Sequence, residues 1–196
     1  MATATANRVA IRDLDNDSLI IRLHFTINHL SRWLTPIHDP IRLVRTVRLG
    51  EPSAKDLLLA IRDEETRVFP LLHLISVTTN PDLDKLAPVG RDPREETRDG
   101  AASPLQVMAE FRRLRQSTCS LLRSLPDGAW KRIGISRREH DWSVRDLAEG
   151  LAAHDERRLR ELDEALDRVG ARDGIAPASR VHLDELLKLV PTGTRR

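Results

Sequence analysis

The sequence has one cysteine, Cys119, and no tyrosine. A single thiol cannot close an intramolecular disulfide, so neither a cystine framework nor an oxidising compartment is implied. Aromatic side chains are limited to three tryptophans and three phenylalanines, little material for the stacking platforms that hold single-stranded nucleic acid. Lysine is nearly missing as well. Lys55, Lys85, Lys131 and Lys188 are the whole complement, and almost all positive charge is arginine. Lys+Arg 32 against Asp+Glu 30 leaves a formal net charge of +2 with acids and bases interleaved, so no nucleic-acid partner is expected. No apolar run approaches the roughly 18 residues of a membrane-spanning helix, and no membrane partner is expected. The opening MATATANRVAIRDLDND lacks the basic start and unbroken apolar stretch of a secretory signal. It reads as a short frayed lead-in, and the expected location is the cytoplasm.

What the chain does have is helical periodicity. Ile20, Leu23, Ile27, Leu30 and Leu34 recur at steps of three and four, which predicts a helix from about Ser18 to Leu34, capped by Asp17 or Ser18 and stopped before Pro36. A connector with Asp39, Pro40 and IRLVRTVRLG follows, closed by Gly50. Ser53 and Asp56 form a capping-box pair that starts a second helix. Its inward line reads Leu57, Ile61, Glu64, Val68, Leu71, Ile75, with Pro70 expected to kink it. From Thr78 to Ala102, prolines, glycines and dense charge predict a long crossover loop. Ser103, Pro104 and Gln106 start a third helix, whose inward line is Val107, Phe111, Leu114, Thr118, Leu121, Leu125. Ser143 and Asp146 start a fourth, running to Val169 with Gly170 as its stop. Its inward line passes through Val144, Leu147, Leu151, His154, Arg158, Ala165 and Val169, with two polar residues in the middle. A fifth, shorter helix is predicted from about Ser179 to Val190, ahead of Pro191.

Four long helices and one long connection predict an all-α, up-and-down four-helix bundle with the crossover between helices two and three, plus a short C-terminal helix. The expected organisation is a single domain over 1–196, with its core at about 17–170 and the C-terminal helix at about 179–190.

Two stretches, EPSAKDLLLAIRDEETRVFPLL and LRSLPDGAWKRIG continuing through HDWSVRDLAEGLAAHDERRL, resemble the DinB-like superfamily of helical bundles. That superfamily also includes thiol-dependent transferases and metal-dependent hydrolases. The resemblance implies a divalent metal, zinc or nickel, held by three histidines: one about seven residues into helix two and a pair four apart on helix four. Here the first position carries Ala60, and the H-x-x-x-H spacing falls on His154 and Arg158. Side chains four apart share a helical face, which is how a histidine pair reaches one metal. Arginine cannot replace histidine there, because its guanidinium stays protonated and has no lone pair to give.

Glu64 lies at about the same depth, so Arg158 is expected to stand where the cation would be, with Glu64 paired to it and His154 completing a polar cluster; the alternative is that Arg158 snorkels to solvent. The other histidines, His24, His29, His38, His73, His140 and His182, lack metal-ligand spacing and are expected at the surface or partly buried. Cys119 is expected to be a core thiol, and Trp33, Trp130 and Trp142 to be packing residues. Two functional readings follow. In the first, the bundle has lost its metal, needs no cofactor, and has a non-catalytic binding or regulatory role, with an unknown small molecule and a second copy of the chain as its partners. The alternative is a divergent metal-dependent, thiol-dependent transferase or hydrolase that holds a metal through His154, Glu64 and a further ligand. No residue is assigned as catalytic.

Overall fold

The computed structural model describes residues 9–86 and 93–193. In chain order its helices are α1 (Asn16–Leu34), α2 (Ile41–Val44), α3 (Ala54–Val77), α4 (Pro93–Ala101), α5 (Pro104–Ser124), α6 (Val144–Arg168) and α7 (Leu183–Leu187). The long helices α1, α3, α5 and α6 make the four-helix bundle that the periodicity predicts. Its long connection runs between the second and third of them, and the short α7 follows. Among the described residues the only sheet is a two-stranded antiparallel ribbon, β1 (Ile133–Gly134) with β2 (Trp142–Ser143), which leads into α6. α1 and α3 each pack against both α5 and α6, whereas contacts between α1 and α3 themselves are minor.

The helix starts follow from their caps. Ser53, Ser103 and Ser143 each accept the backbone N–H three residues on, and Asp56, Gln106 and Asp146 each accept the N–H of their serine in return. α1 differs from expectation. Its cap is Asp15, which takes the Ser18 N–H at 2.7 Å, because a 3-10 turn at Ile11–Asp13 delivers Asp15 in extended geometry. Ser18 is used otherwise: its Oγ accepts the Gly193 N–H at 2.9 Å, and the Asp15 N–H donates to the Gly193 carbonyl. A Cβ at position 193 would collide with the Asp15 carboxylate and the Ser18 hydroxyl. At the other end, Gly170 takes φ +61° after α6. The Ala171 N–H reaches back to the Leu166 carbonyl and the Gly170 N–H to that of Asp167, a left-handed stop that a side chain would strain.

The inward faces are rotated by about one residue from the expected lines. On α3 the buried line is Leu57, Leu58, Ile61, Glu65, Val68, Leu72, Ile75, so Glu65 and Leu72 take the places expected for Glu64 and Leu71. On α5, Arg115 and Leu122 replace Leu114 and Leu121. On α6, Asp155 and Leu159 replace His154 and Arg158. A step of three and a step of four from the same residue are both helical. The choice is made by the two neighbours that each helix faces at once.

This rotation places charge at the centre. One apolar cluster holds Leu30, Trp33, Ile61, Phe111 and Leu162, and another holds Leu19, Leu72, Leu122, Val144 and Leu151. Along each long helix the passage from one cluster to the other crosses a polar side chain: Thr26, Glu65, Arg115 with Thr118, and Asp155. Arg115, fully buried, donates from Nε to Glu65 Oε2 at 2.8 Å, from one terminal nitrogen to Asp155 Oδ2 at 2.5 Å and Leu23 O at 3.0 Å, and from the other to Asp155 Oδ1 at 3.2 Å. Thr118 donates to Glu65, and Thr26 to Asp155 at 2.8 Å. Burial alone would lower the pKa of the guanidinium, but Asp155 and Glu65 more than offset it and hold that pKa above its ordinary value. One layer therefore ties all four long helices together.

The connection after α3 is more ordered than a loop. A 3-10 turn at Leu83–Lys85 and then α4 occupy much of the 78–102 stretch, and residues 87–92 lie outside the described residues. α4 reads PREETRDGA and has no apolar stripe to advertise it. Its anchor is ionic. Asp99, 4% exposed, receives Arg62 of α3 through two parallel bonds of 2.7 and 2.5 Å. The frayed lead-in is likewise only part of the story: residues 1–8 lie outside the described residues, while Leu14 is buried and its carbonyl accepts from Arg145 at 2.5 Å.

Arg115→Met would leave two buried carboxylates facing one another without a cation, and should cost about 3–5 kcal/mol in urea denaturation. Combining it with Glu65→Gln and Asp155→Asn should recover much of that loss. A single-variant loss under about 1 kcal/mol would contradict a central role for the layer.

His29 gives a pH signature. It is buried rather than at the surface, and burial, helped by Arg22 and Arg32, pushes it down to about 4 from 6.5. Between those values the unfolded chain binds a proton that the folded chain refuses, so the contribution is complete above 6.5 and is lost as pH falls towards 4. The loss should be on the order of 3 kcal/mol. His29→Leu should flatten the pH dependence of the urea midpoint over this window. An unchanged slope would assign the effect to other groups.

Candidate functional site

α3 and α6 lie side by side, and residues just off their buried faces open into a cavity of about 610 Å³. Ala60 and Glu64 come from α3, His154 and Arg158 from α6, with α4 and α5 closing the opposite wall through Asp99, Glu110 and Arg113. All four positions singled out from the sequence therefore share one space, one helical step outside the charged layer.

Their pairing differs from the expected one. Glu64 does not meet Arg158; it is held by Arg67, at 2.9 Å from Nε and 2.7 Å from the terminal nitrogen. This bond keeps the Glu64 carboxyl below the usual carboxylate range. Arg158 donates instead to Glu161 at 2.7 Å, and its Nε lies 3.4 Å from His154 Nε2. Both carboxylates find an arginine three residues away on their own helix, a partner that costs less ordering than one across the cavity.

His154 is half-buried. Burial lowers its pKa despite the opposing pull of Asp155 and Glu64, so the imidazole is neutral near pH 7. With Nε2 turned to the guanidinium of Arg158, the proton belongs on Nδ1, which is buried without a hydrogen-bond partner.

A divalent ion at these positions would find no donor on Ala60 and a fixed positive charge on Arg158. The single histidine lone pair is already directed at that charge, and the Glu64 carboxylate is occupied by Arg67. Such a donor set does not fit a three-ligand metal centre. A different grouping does bring ligand atoms together: Asp163, Asp167 and His182 offer atoms within 4.8 Å of one another. Arg172 already lies among them, donating to Asp163 Oδ1 and to Asp167 Oδ1, each at 2.6 Å, while Asp163 Oδ2 accepts the Leu183 N–H at 2.8 Å. This cluster ties the start of α7 to α6.

The remaining candidates have structural surroundings. Cys119 is buried in the core, and burial pushes its thiol up to about 11, far from a nucleophile's range. Trp33 is buried and donates to the Val181 carbonyl at 2.8 Å. Trp130 is buried beneath the guanidinium of Arg145. Trp142 is half-buried and helps wall a second, more apolar cavity of about 540 Å³ that shares Arg67 with the first. His38, His73, His140 and His182 are exposed.

Sequence reasoning passed over the charged layer and the Arg62–Asp99 anchor. A signal for the layer was present on α5, where Val107, Phe111, Arg115, Cys119 and Leu122 form a regular line through an arginine. On α6, Asp155 stands between Leu151 and Leu159 in the same way.

Comparison with known proteins fits this architecture. The chain is similar to YfiT from Bacillus subtilis, whose structure is described as that of a probable metal-dependent hydrolase with an unusual four-helix bundle topology. The two share 16% sequence identity and superpose with a TM-score of 0.65 over 79% of this chain and 87% of YfiT, a likeness of fold. Comparison with curated proteins finds no match. The model of the DinB superfamily matches residues 32–162, more than half of the sequence, and the chain belongs to that superfamily.

Proposed function

We propose that this protein is a DinB superfamily member that binds a small polar molecule in the α3–α6 cavity without metal catalysis, serving a binding or regulatory role. The observation that carries the reading is the approach of Arg158 Nε to His154 Nε2 beside Ala60. Where the superfamily resemblance implies three metal-ligating histidines, this chain offers one lone pair, one cation and one methyl group. A cavity of about 610 Å³ is within the usual size of a small-molecule site. Arg113 on its rim is exposed and has no ion-pair partner among the described residues, which suits a ligand bearing an anionic group.

The description of YfiT as a probable metal-dependent hydrolase favours a second reading, in which this chain is a metalloenzyme that recruits its ion elsewhere. The Asp163, Asp167 and His182 grouping is the place for that reading, at the cost of displacing Arg172.

Metal content separates the two. Protein purified without a histidine tag, incubated with zinc, nickel or manganese and passed over a desalting column, should retain well under one equivalent of each. Ala60→His with Arg158→His should restore binding by supplying the two missing ligands. Stoichiometric metal in the unmodified protein, lost on His154→Ala, would refute the metal-free reading at the cavity. Loss on His182→Ala alone would instead move the metal to the second grouping.

A further inference from the structure

Most of this protein's large apolar side chains are covered, and one short stretch breaks the rule. Ile41, Val44, Val47 and Leu49 are 65%, 47%, 58% and 105% exposed, four of the nine exposed large hydrophobics among the described residues, all within nine positions. They alternate with Arg42, Arg45 and Arg48, and no acidic residue occurs between Asp39 and Glu51. Arg42 and Arg48 keep only long contacts with those flanking acids, at 3.8 and 3.9 Å, and Arg45 has no ion-pair partner among the described residues.

The segment is also firmly mounted. Leu43 is 1% exposed and belongs to the core, and Arg42 donates to the Gly170 carbonyl at 3.3 Å. Gly50, at φ +86°, turns the chain back toward α3 immediately after Leu49. The apolar side chains therefore project from a braced tip, and residues 41–50 line neither of the cavities described above.

We propose that Ile41–Leu49 is a peripheral docking tip for an anionic lipid surface. Protruding leucine, isoleucine and valine side chains flanked by cations match a bilayer interface, where the apolar groups enter the acyl boundary and the guanidinium groups stay at the phosphates. A peptide partner would be read by a groove, and this surface is a projection. A symmetric contact between two copies would bring three arginines from each side together on a patch whose acids, Asp39 and Glu51, lie only at its two ends. No helix here is long and apolar enough to cross a membrane, so the contact is peripheral.

The test is co-sedimentation of the full chain with phosphatidylcholine vesicles, with and without phosphatidylglycerol, at low and high salt. The protein should pellet with the anionic vesicles at low salt and be released at high salt. Val47→Ser with Leu49→Ser should lower the partition coefficient about tenfold or more, and Arg45→Glu with Arg48→Glu should do the same. These side chains are exposed, so thermal unfolding should be unchanged in both variants. A charge-matched control, Arg123→Glu with Lys131→Glu, should bind as the parent does. Three outcomes would overturn the assignment: no binding to anionic vesicles at low salt, equal loss in the control, or a dimer in light scattering that Leu49→Ser dissociates. The last would make the tip a self-interface.

Discussion

A single buried guanidinium organises this bundle. Arg115 reaches α1 through a backbone carbonyl, α3 through Glu65 and α6 through Asp155, and Thr118 and Thr26 occupy oxygens on the two carboxylates. The apolar clusters on either side supply the driving force for collapse, but apolar contacts are tolerant of sliding and rotation. The charged layer is not, because a helix displaced by one residue would strand an ion in a low-dielectric interior. Hydrophobic burial closes the bundle, and the layer fixes its register.

The same constraint explains what could be read from the sequence. The four long helices, the three serine capping boxes and the glycine stop at 170 are local features, and each appears in the structure where the residues place it. The inward faces were legible only to within one residue. Reading Glu64 inward and reading Glu65 inward satisfy helical periodicity equally well, and what decides is Arg115, fifty residues away in sequence. Once Glu65 is buried, Glu64 must face the cavity. On α6 the burial of Asp155 likewise sends His154 to the cavity wall. Ala60, Glu64, His154 and Arg158 line one cavity, but Glu64 does not pair with Arg158, since local arginine and glutamate partners were available to each. α4 was illegible for a related reason. Its attachment rests on Asp99 and Arg62 rather than on an apolar stripe, and periodicity analysis is blind to ionic anchors.

The cavity and the charged layer are adjacent products of one arrangement. Because the acidic and basic groups of the layer satisfy each other, the groups one step outside are left to local partners and to solvent. His154 is the exception: its neutral ring faces a cation at Nε2 and has a buried Nδ1 with nothing to bond. The ring therefore carries a buried donor that finds no acceptor within the protein while its other nitrogen is engaged by Arg158.

The clasp between Gly193 and the first turn of α1 joins groups 175 residues apart in sequence. Closing so large a loop is among the most expensive steps in chain entropy, and two backbone-level hydrogen bonds return little by themselves. Such a contact forms only after the bundle has brought its surroundings together. The opening turn of α1 and the stretch beyond α7 are thus coupled in opening: release of Gly193 frees the Asp15 N–H and the Ser18 hydroxyl together, even though nothing in their sequence neighbourhood connects them.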